Sequence, residues 1–127
     1  MKILSIDDSK AVHAYLTECL KASPGVTLEH AFNGAEGLKM VSGAEFDLVL
    51  LDWEMPGLTG PEVLTEIRKA NAEVPVIMLT SKNAVGDIEN VLSRGASEYI
   101  MKPFTADILF AKIESVTGVA VQSDGAN

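Results

Sequence analysis

Short apolar runs alternate with segments whose apolar residues recur at intervals of three and four. Residues 2–6 and 47–52 are nearly continuous apolar runs, as expected of strands covered on both faces of a parallel sheet. Comparable runs occupy residues 27–31, 74–80 and 97–101. The alternation predicts five β-α repeats. Such repeats form an α/β fold with a five-stranded parallel sheet, right-handed crossovers and helices on both faces.

Capping and turn residues indicate where the helices between these runs begin and end. Ser9 is suited to cap the first helix, and Asn33-Gly34 starts a second helix that runs to about residue 41. Pro61 stands in the first turn of the third helix, while Gly95 and Gly118 end the fourth and fifth. The apolar face of the first helix is predicted to consist of Val12, Tyr15, Leu16, Cys19 and Leu20.

The length favours one small domain. A chain of 127 residues can bury roughly two-thirds of its unfolded surface in a single core. We therefore expect no separate DNA-binding or catalytic output domain. We expect residues 1–118 to form the domain. Residues 119–127 have no periodic apolar face, and we expect them to form a flexible C-terminal tail.

The net charge and the cysteine content limit which classes of partner and which cellular compartment we expect. Ten basic and eighteen acidic residues give a formal net charge of −8, which argues against nucleic acid or an anionic membrane as partner. Cys19 is the single cysteine, so no internal disulfide is possible and a reducing compartment is expected. No stretch approaches the roughly 20 apolar residues of a membrane span, and no signal peptide precedes the first acidic pair. We therefore expect a cytoplasmic protein without membrane insertion.

Polar residues with related chemistry stand at the ends of four of the apolar runs. These residues are Asp7-Asp8, Asp52, Thr80 and Lys102. Ligands of parallel sheets bind outside the carboxyl ends of the strands, so we expect these side chains to share one crevice. Carboxylates bind hard cations, a carboxylate can attack phosphorus, and lysine and threonine can hold phosphate oxygens. The set favours phosphoryl transfer with Mg²⁺.

The same residues resemble the receiver domains of two-component response regulators over roughly residues 2–117. Five elements in the right order carry the resemblance. The Asp52-Trp53-x-Met55-Pro56 run, with the expected lack of a second domain, is most similar to stand-alone chemotaxis regulators of the CheY type. The elements are the Asp7-Asp8 pair, LLDWEMPGLTG around Asp52, IMLTS containing Thr80, GASEY ending in Tyr99, and Lys102-Pro103. The resemblance implies a flavodoxin-like strand order of 2-1-3-4-5, which periodicity alone does not supply.

The resemblance also assigns roles around the phosphorylation site. Asp52 is implied to be the phosphoacceptor, and the donor is a histidine on a separate, CheA-like histidine kinase. Mg²⁺ is implied as the cofactor, held directly by Asp8 and Asp52, by Asp7 through water, and by the backbone carbonyl of Glu54. Lys102 is expected to contact the phosphate, with the Lys102-Pro103 peptide bond in the cis form. The domain would catalyse only its own phosphorylation and dephosphorylation, so it is not expected to be a turnover enzyme.

Thr80 and Tyr99 resemble the switch pair of the family. Phosphorylation would draw the Thr80 hydroxyl inward and let the Tyr99 ring move from an exposed to a buried position. The surface formed by residues 87–94, 97–101 and 105–112 would change and bind an output protein, such as a flagellar motor switch protein or a downstream phosphotransfer protein. We expect a monomer, because no strong apolar stripe demands dimerisation.

Several residues depart from the chemotaxis pattern or carry no role in it. Glu54 and Lys82 stand where the familiar chemotaxis regulator has an amide and an acid, so the charge pattern is roughly reversed. We expect this pair to meet across the mouth of the site. His13 and His30 have no Cys or His at metal-ligand spacing and are interpreted as ordinary structural or surface residues.

Other functions fit the sequence less well. A phosphorelay intermediate or phosphate sink would use the same site and differ only in its output. A haloacid-dehalogenase-type phosphatase would carry its nucleophile after the first strand, whereas Asp52 follows the third run. A flavin- or nucleotide-binding module needs a glycine- or hydroxyl-rich phosphate loop after the first strand, where this chain has two aspartates.

Overall fold

Five strands alternate with five helices in the computed structural model, which describes residues 1–71 and 73–121. All ten predicted elements are present in the predicted order. None of the helices in the described ranges is both long and apolar enough to cross a membrane. The elements are β1 (Lys2–Ile6), α1 (Lys10–Leu20), β2 (Thr27–Ala31), α2 (Gly34–Gly43), β3 (Leu48–Asp52), α3 (Gly60–Ala70), β4 (Val76–Thr80), α4 (Val85–Ser93), β5 (Glu98–Met101) and α5 (Ala106–Thr117).

The strands form one parallel sheet in the order β2-β1-β3-β4-β5, which confirms the flavodoxin-like α/β fold. The register aligns the carboxyl ends of the strands. Ile6 pairs with Leu51, Asp52 pairs with Leu79, and the last residue of β4 pairs with the last residue of β5. The residues that follow β1, β3, β4 and β5 therefore meet along one edge of the sheet.

Alternating strand residues build two cores, one on each face of the sheet. Residues such as Ile3 and Leu50 pack with α1 and α5, while Leu4 and Leu51 pack with α2, α3 and α4. These side chains are fully buried, and each large aliphatic residue contributes roughly 1.5–3 kcal/mol of transfer free energy. A shift of one residue in any central strand would exchange the two faces, so the packing strongly specifies the register that aligns the strand ends.

Side-chain caps begin four of the five helices. Ser9, Asn33, Thr59 and Thr105 each accept a hydrogen bond from a backbone N–H in the first turn, and Thr59 forms a reciprocal capping box with Glu62. Helix α4 begins after residue 84 with no side-chain cap. Because a cap contributes about 1 kcal/mol, the start of α4 is the least anchored of the five helix starts.

The buried face of α1 differs from the predicted one. His13, Leu16 and Leu20 are the buried residues of the helix, whereas Tyr15 is 43% exposed. Tyr15 lies against the β5-α5 loop, where its hydroxyl donates a hydrogen bond to the Phe104 carbonyl oxygen at 2.7 Å. The expectation that Tyr15 faces the core was therefore wrong. The Tyr15 hydroxyl needs a hydrogen-bond acceptor, and the acceptor that it contacts lies outside the core.

The chain after α5 is packed further than expected. Val121 is 3% exposed and belongs to the same core as Leu16 and Leu20. Its carbonyl oxygen accepts a hydrogen bond from the Ser23 hydroxyl. The prediction of a flexible tail over 119–127 therefore does not hold for Val121. Residues 122–127 of that prediction lie outside the described residues.

Candidate functional site

A cavity of about 320 Å³ opens at the carboxyl edge of the sheet. It gathers nearly all of the side chains singled out from the sequence, which come from the ends of four strands. Tyr99 is the exception and lies outside it. The predicted residues that line the cavity are Asp7, Asp8, Asp52, Glu54, Thr80 and Lys102.

Three carboxylates converge in this cavity. One oxygen atom from each of Asp7, Asp8 and Asp52 lies within 4.8 Å of the other two. Asp7 and Asp52 are buried, while Asp8 is exposed. The Ser9 backbone N–H donates to Asp7 Oδ1 at 2.8 Å and so holds the Asp7 carboxylate in the turn between β1 and α1. Adjacent aspartates therefore occupy different environments.

Lys102 forms the cationic side of the cavity. Its Nζ atom lies 2.7 Å from Asp52 Oδ1 and 3.3 Å from Asp7 Oδ2. The Lys102-Pro103 peptide bond is cis, as predicted. Burial lowers the pKa of Lys102, but its hydrogen bond to Asp52 and the charges of Asp52 and Asp7 outweigh burial and raise that pKa above its ordinary value. The side chain is therefore an ammonium ion at neutral pH.

The carboxylate of Asp52 carries a net electrostatic penalty. Burial raises its pKa, the charges of Asp7 and Asp8 raise it further, and the hydrogen bond and charge of Lys102 only partly oppose them. Three carboxylates and one ammonium leave two uncompensated negative charges in a small cavity. A hard divalent cation would neutralise both, and carboxylate oxygens are the ligands that Mg²⁺ prefers. The residues present fit such an ion.

Gly60 lets the first turn of α3 approach the end of β3 closely. Its backbone N–H donates to the Trp53 carbonyl oxygen at 2.8 Å. A Cβ atom at this position would collide with the Asp52 carbonyl oxygen and lie 2.8 Å from Trp53 Cα. The absence of a side chain therefore positions the Asp52 backbone against α3.

Thr80 and Tyr99 lie on the same face of the sheet but at different depths. Thr80 is buried at the end of β4, where its Oγ1 accepts a hydrogen bond from the Lys82 backbone N–H at 2.8 Å. Tyr99 pairs with Met78 in the sheet, two residues before the level of Thr80. Its ring is half-buried, and Lys112 Nζ lies 5.5 Å from the ring centroid. Thr80 therefore lies at the cavity, and Tyr99 lies further from the cavity on the same face of the sheet.

Glu54 and Lys82 form the predicted contact, in a surface pocket next to the acidic cavity that Glu54 also lines. Lys82 Nζ lies 3.9 Å from Glu54 Oε1 and 6.0 Å from the centroid of the Trp53 ring. The side chains of Glu54 and Lys82 are 68% and 39% exposed. An exposed pair of this kind contributes about 0–1 kcal/mol to stability. Its position beside the cavity, which Glu54 lines, is therefore of more interest than its contribution to stability.

Sequence reasoning missed the connection of two histidines to this site. His13 is buried, and its Nε2 lies 2.7 Å from the Asp7 carbonyl oxygen. His13 Nδ1 in turn lies 2.7 Å from His30 Nδ1. The spacing of His13, Leu16 and Leu20 at i, i+3 and i+7 could have placed His13 on the buried face. The contact with β2 depends on the fold and leaves no signal in local sequence.

The chain matches the response regulator receiver domain family over residues 3–114. It is 41% identical over 113 residues to the transcriptional regulatory protein DltR of Streptococcus agalactiae, a match that covers 89% of this chain and 50% of DltR. It is 35% identical over 116 residues to the response regulator MprA of Mycobacterium leprae, covering 91% and 50%. The chain thus spans about half the length of these curated relatives.

Solved structures of response regulator receiver domains and of a chemotaxis protein are also similar to this chain. The receiver domain of the Francisella response regulator 1452 superposes with a TM-score of 0.85 at 29% identity, covering 92% of this chain and 96% of that one. The chemotaxis protein CheY4 of Vibrio cholerae superposes with a TM-score of 0.84 at 28% identity, covering 91% and 97%. Together with the acidic cavity at the carboxyl edge of a 2-1-3-4-5 sheet, these matches establish that the chain belongs to the response regulator receiver domains of two-component systems, which are phosphoacceptor signalling domains rather than classical enzymes.

Proposed function

We propose that this receiver domain accepts a phosphoryl group on Asp52 from a histidine kinase in a reaction that depends on Mg²⁺. The observation that carries the proposal is the position of the Asp52 carboxylate. It lies within 4.8 Å of the carboxylates of Asp7 and Asp8 and 2.7 Å from the Lys102 ammonium, in the cavity at the end of β3. This position gives Asp52 both a cation beside it and space in front of it.

The reaction is a transfer between two nucleophiles. A carboxylate oxygen of Asp52 attacks the phosphorus atom of a phosphohistidine, so an O–P bond forms while the N–P bond breaks. The histidine nitrogen leaves with the electron pair of that bond and regains a proton. The product is an acyl phosphate on Asp52. Positive charge must offset the repulsion between the carboxylate and the incoming phosphate.

Lys102 and Thr80 supply contacts to the transferred group. The Lys102 ammonium, 2.7 Å from Asp52 Oδ1, is placed to pair with a phosphoryl oxygen. The Thr80 hydroxyl oxygen accepts a hydrogen bond from the Lys82 backbone, so it retains its own proton for donation. A phosphoryl oxygen is the acceptor that we assign to this proton.

Asp7, Asp8 and Asp52 would hold Mg²⁺, together with the backbone carbonyl of Glu54, which lines the same cavity. When bound, the ion supplies positive charge that offsets the repulsion between the carboxylates and the phosphate. Asp8 is the most exposed of the three carboxylates and faces solvent, which favours it as a direct ligand, with Asp7 acting through water.

Phosphorylation at the site would change the protein surface through movements of Thr80 and Tyr99. Movement of the Thr80 hydroxyl toward a phosphoryl oxygen empties space on the face that carries the half-buried Tyr99 ring. The adjoining α4 begins without a side-chain cap and exposes Val85 and Leu92, so this surface can change at small cost. Phosphorylation would then shift the population of a surface that binds an output partner.

The comparisons support two kinds of output to different degrees. DltR is named a transcriptional regulatory protein and is about twice this length, which supports an output in gene regulation. Chemotaxis is supported by the likeness to CheY4, at 28% identity. We place the output in gene regulation ahead of flagellar switching for this reason.

Labelling with a small phosphodonor tests the proposal. With acetyl phosphate and Mg²⁺ we expect the intact mass of the protein to increase by one phosphoryl group. With a chelator in place of Mg²⁺ we expect almost no increase, because the acidic cavity then repels the donor. Equal labelling in both conditions would contradict the dependence on Mg²⁺, and no labelling in either would contradict the proposed function.

Trp53 provides a direct signal of metal binding. It is the single tryptophan of the chain and lines the cavity beside Asp52. We expect Mg²⁺ to change its fluorescence, and Asp8→Ala to weaken that response strongly because a direct ligand is lost. Asp107→Ala, which removes an exposed carboxylate in the first turn of α5, is the matched control and should respond like the wild type. A titration with neither a spectral change nor heat in calorimetry would refute the metal site.

The Glu54-Lys82 pair should control the lifetime of the acyl phosphate. We expect Glu54→Ala and Lys82→Ala each to accelerate phosphate release, because the pair next to the cavity would restrict the approach of water to the phosphoryl group. The double variant should decay little faster than either single variant, since one contact is broken in all three. Phosphate release would be followed after removal of the donor. Additive or absent effects would show that the two residues do not act as a pair. Slower decay in Glu54→Ala would show that Glu54 instead orients the attacking water.

A further inference from the structure

The Asp7 residue is held at every polar atom it possesses. Its backbone N–H donates to the Ala31 carbonyl oxygen at 3.0 Å, and its two carboxylate oxygens contact the Ser9 N–H at 2.8 Å and Lys102 Nζ at 3.3 Å. The fourth contact joins the Asp7 carbonyl oxygen to His13 Nε2 at 2.7 Å. That carbonyl belongs to the peptide group between Asp7 and Asp8. Because a peptide group is planar, fixing its oxygen fixes the direction in which the Asp8 Cα leaves.

The hydrogen bonds define the tautomers of both histidines. A carbonyl oxygen only accepts, so His13 Nε2 carries the proton of the neutral ring, and His13 Nδ1 is an acceptor. The atom that lies 2.7 Å from it is His30 Nδ1, which must therefore be the donor. His30 Nε2 is then an acceptor, but the Thr17 hydroxyl 3.4 Å away donates its proton to the His13 carbonyl oxygen at 2.9 Å and does not extend the chain of hydrogen bonds. Hydrogen bonds thus run in one direction, from β2 through α1 to the acidic turn.

Packing holds the His13 ring against the Asp7 carbonyl oxygen. The side chain is buried, and its ring makes edge contacts with the rings of His30 and Phe32 at centroid distances of 4.4 and 4.6 Å. A buried donor that loses its acceptor bears the full cost of desolvation, so the ring remains bonded to the Asp7 carbonyl oxygen. The His30 ring crosses the His13 ring at 74°, which lets its Nδ1 face the Nδ1 of His13.

We propose that His13 and His30 are positioning residues that orient the Asp7-Asp8 peptide for metal binding, with His30 selecting the tautomer of His13 that donates to the Asp7 carbonyl oxygen. This inference rests on the proposed function of the acidic site. The histidines touch neither the metal nor the phosphate, and they act through one peptide group. Groups that orient metal ligands in this way typically change metal affinity by about 10- to 100-fold when they are removed.

Paired substitutions separate orientation from packing. His13→Leu fills the space but removes the donor, so we expect Mg²⁺ affinity, measured by Trp53 fluorescence and calorimetry, to fall about 10- to 100-fold. His13→Gln keeps an N–H near the position of Nε2 and should restore most of the affinity. Leu16→Ala removes a fully buried side chain one turn along the same helix and is the control. It should lower the unfolding temperature without weakening Mg²⁺ binding.

The metal-free protein gives an independent spectroscopic readout. Long-range ¹H-¹⁵N correlation spectra at mildly alkaline pH should identify His13 as the Nε2–H tautomer and His30 as the Nδ1–H tautomer. In His30→Leu, His13 should show a mixture of tautomers, and Mg²⁺ affinity should fall by less than in His13→Leu. A merely structural role for His30 would leave the His13 tautomer unchanged.

The outcomes distinguish this inference from the proposed function. A wild-type protein that fails to respond to Mg²⁺ would overturn the metal site and this inference with it. A wild-type response that His13→Leu shares in full would overturn the positioning role alone, as would a His13 ring protonated at Nδ1. Equal losses in His13→Leu and His13→Gln would also overturn it, because volume rather than the donor would then be responsible.

Discussion

Asp52→Asn should abolish phosphorylation while leaving the fold intact. The substitution keeps the shape of the side chain but replaces the attacking carboxylate oxygen with an amide that is far less nucleophilic. It also removes one of three carboxylates that lie within 4.8 Å of one another, in a site where burial and Asp7 already raise the pKa of Asp52. We therefore expect an unfolding temperature at or above that of the wild type in the absence of Mg²⁺. Intact-mass analysis with acetyl phosphate and Mg²⁺ should detect no phosphoryl group.

Asp47→Asn is the matched control for this variant. Asp47 immediately precedes the same strand but lies at its other end, exposed and bonded to the Lys2 backbone N–H at 2.7 Å. The substitution makes the same chemical change far from the cavity. It should be labelled like the wild type. Normal labelling of Asp52→Asn would refute Asp52 as the nucleophile.

Thr80→Ala and Tyr99→Ala should accept phosphate but transmit it poorly. Neither residue is the attacking group: Thr80 lines the cavity and Tyr99 lies behind it on the same face of the sheet, so we expect both to carry the signal once the O–P bond has formed. In the wild type we expect phosphorylation to change partner affinity by about 5- to 150-fold, which corresponds to about 1–3 kcal/mol of coupling. Each variant should lose most of this ratio. Partner binding would be measured with phosphorylated and unphosphorylated protein in parallel.

Two conservative variants separate the proposed roles of these residues. Thr80→Ser keeps the hydroxyl that donates to the phosphoryl oxygen, and Tyr99→Phe keeps the ring that moves. Both should retain much of the wild-type ratio. If Thr80→Ala or Tyr99→Ala discriminates between the two states as well as the wild type, that residue is not part of the switch.

Local sequence signals predicted the elements well because they act within a few residues. All five strands were predicted to within two residues, and Ser9 and Asn33 begin their helices as N-caps. The start of β4 was predicted two residues early, at residue 74. Pro75 has no N–H to donate, and the Val74 N–H is instead bonded to the side chain of Asn71, so the ladder begins at residue 76.

Strand order and side-chain pairing depend on contacts that are distant in sequence. Periodicity indicated a parallel sheet, but the order 2-1-3-4-5 came from the resemblance to receiver domains. The inward turn of His13 and the outward turn of Tyr15 depend on His30 and Phe104, which lie 17 and 89 residues further along the chain. No pattern within α1 could reveal partners at those distances.

The composition of the site was predictable because its chemistry is carried by strand ends. Asp7, Asp52, Thr80 and Lys102 each follow or end an apolar run, and parallel strands deliver such residues to one edge. The residues that contact the site from behind, such as His13, were not predictable. The His13 contact to the Asp7 carbonyl oxygen involves a backbone atom, which any residue would supply, so no side chain marks it in the sequence.

Mapping the phosphorylated residue would show directly whether Asp52 is the phosphoacceptor. Borohydride reduces an acyl phosphate on aspartate to homoserine, and trypsin should release residues 40–68, a peptide whose only aspartates are Asp47 and Asp52. After labelling the wild type with acetyl phosphate and Mg²⁺, we expect homoserine at position 52 and unchanged Asp47. Homoserine at any other position, or a phosphoryl group that resists reduction, would contradict it.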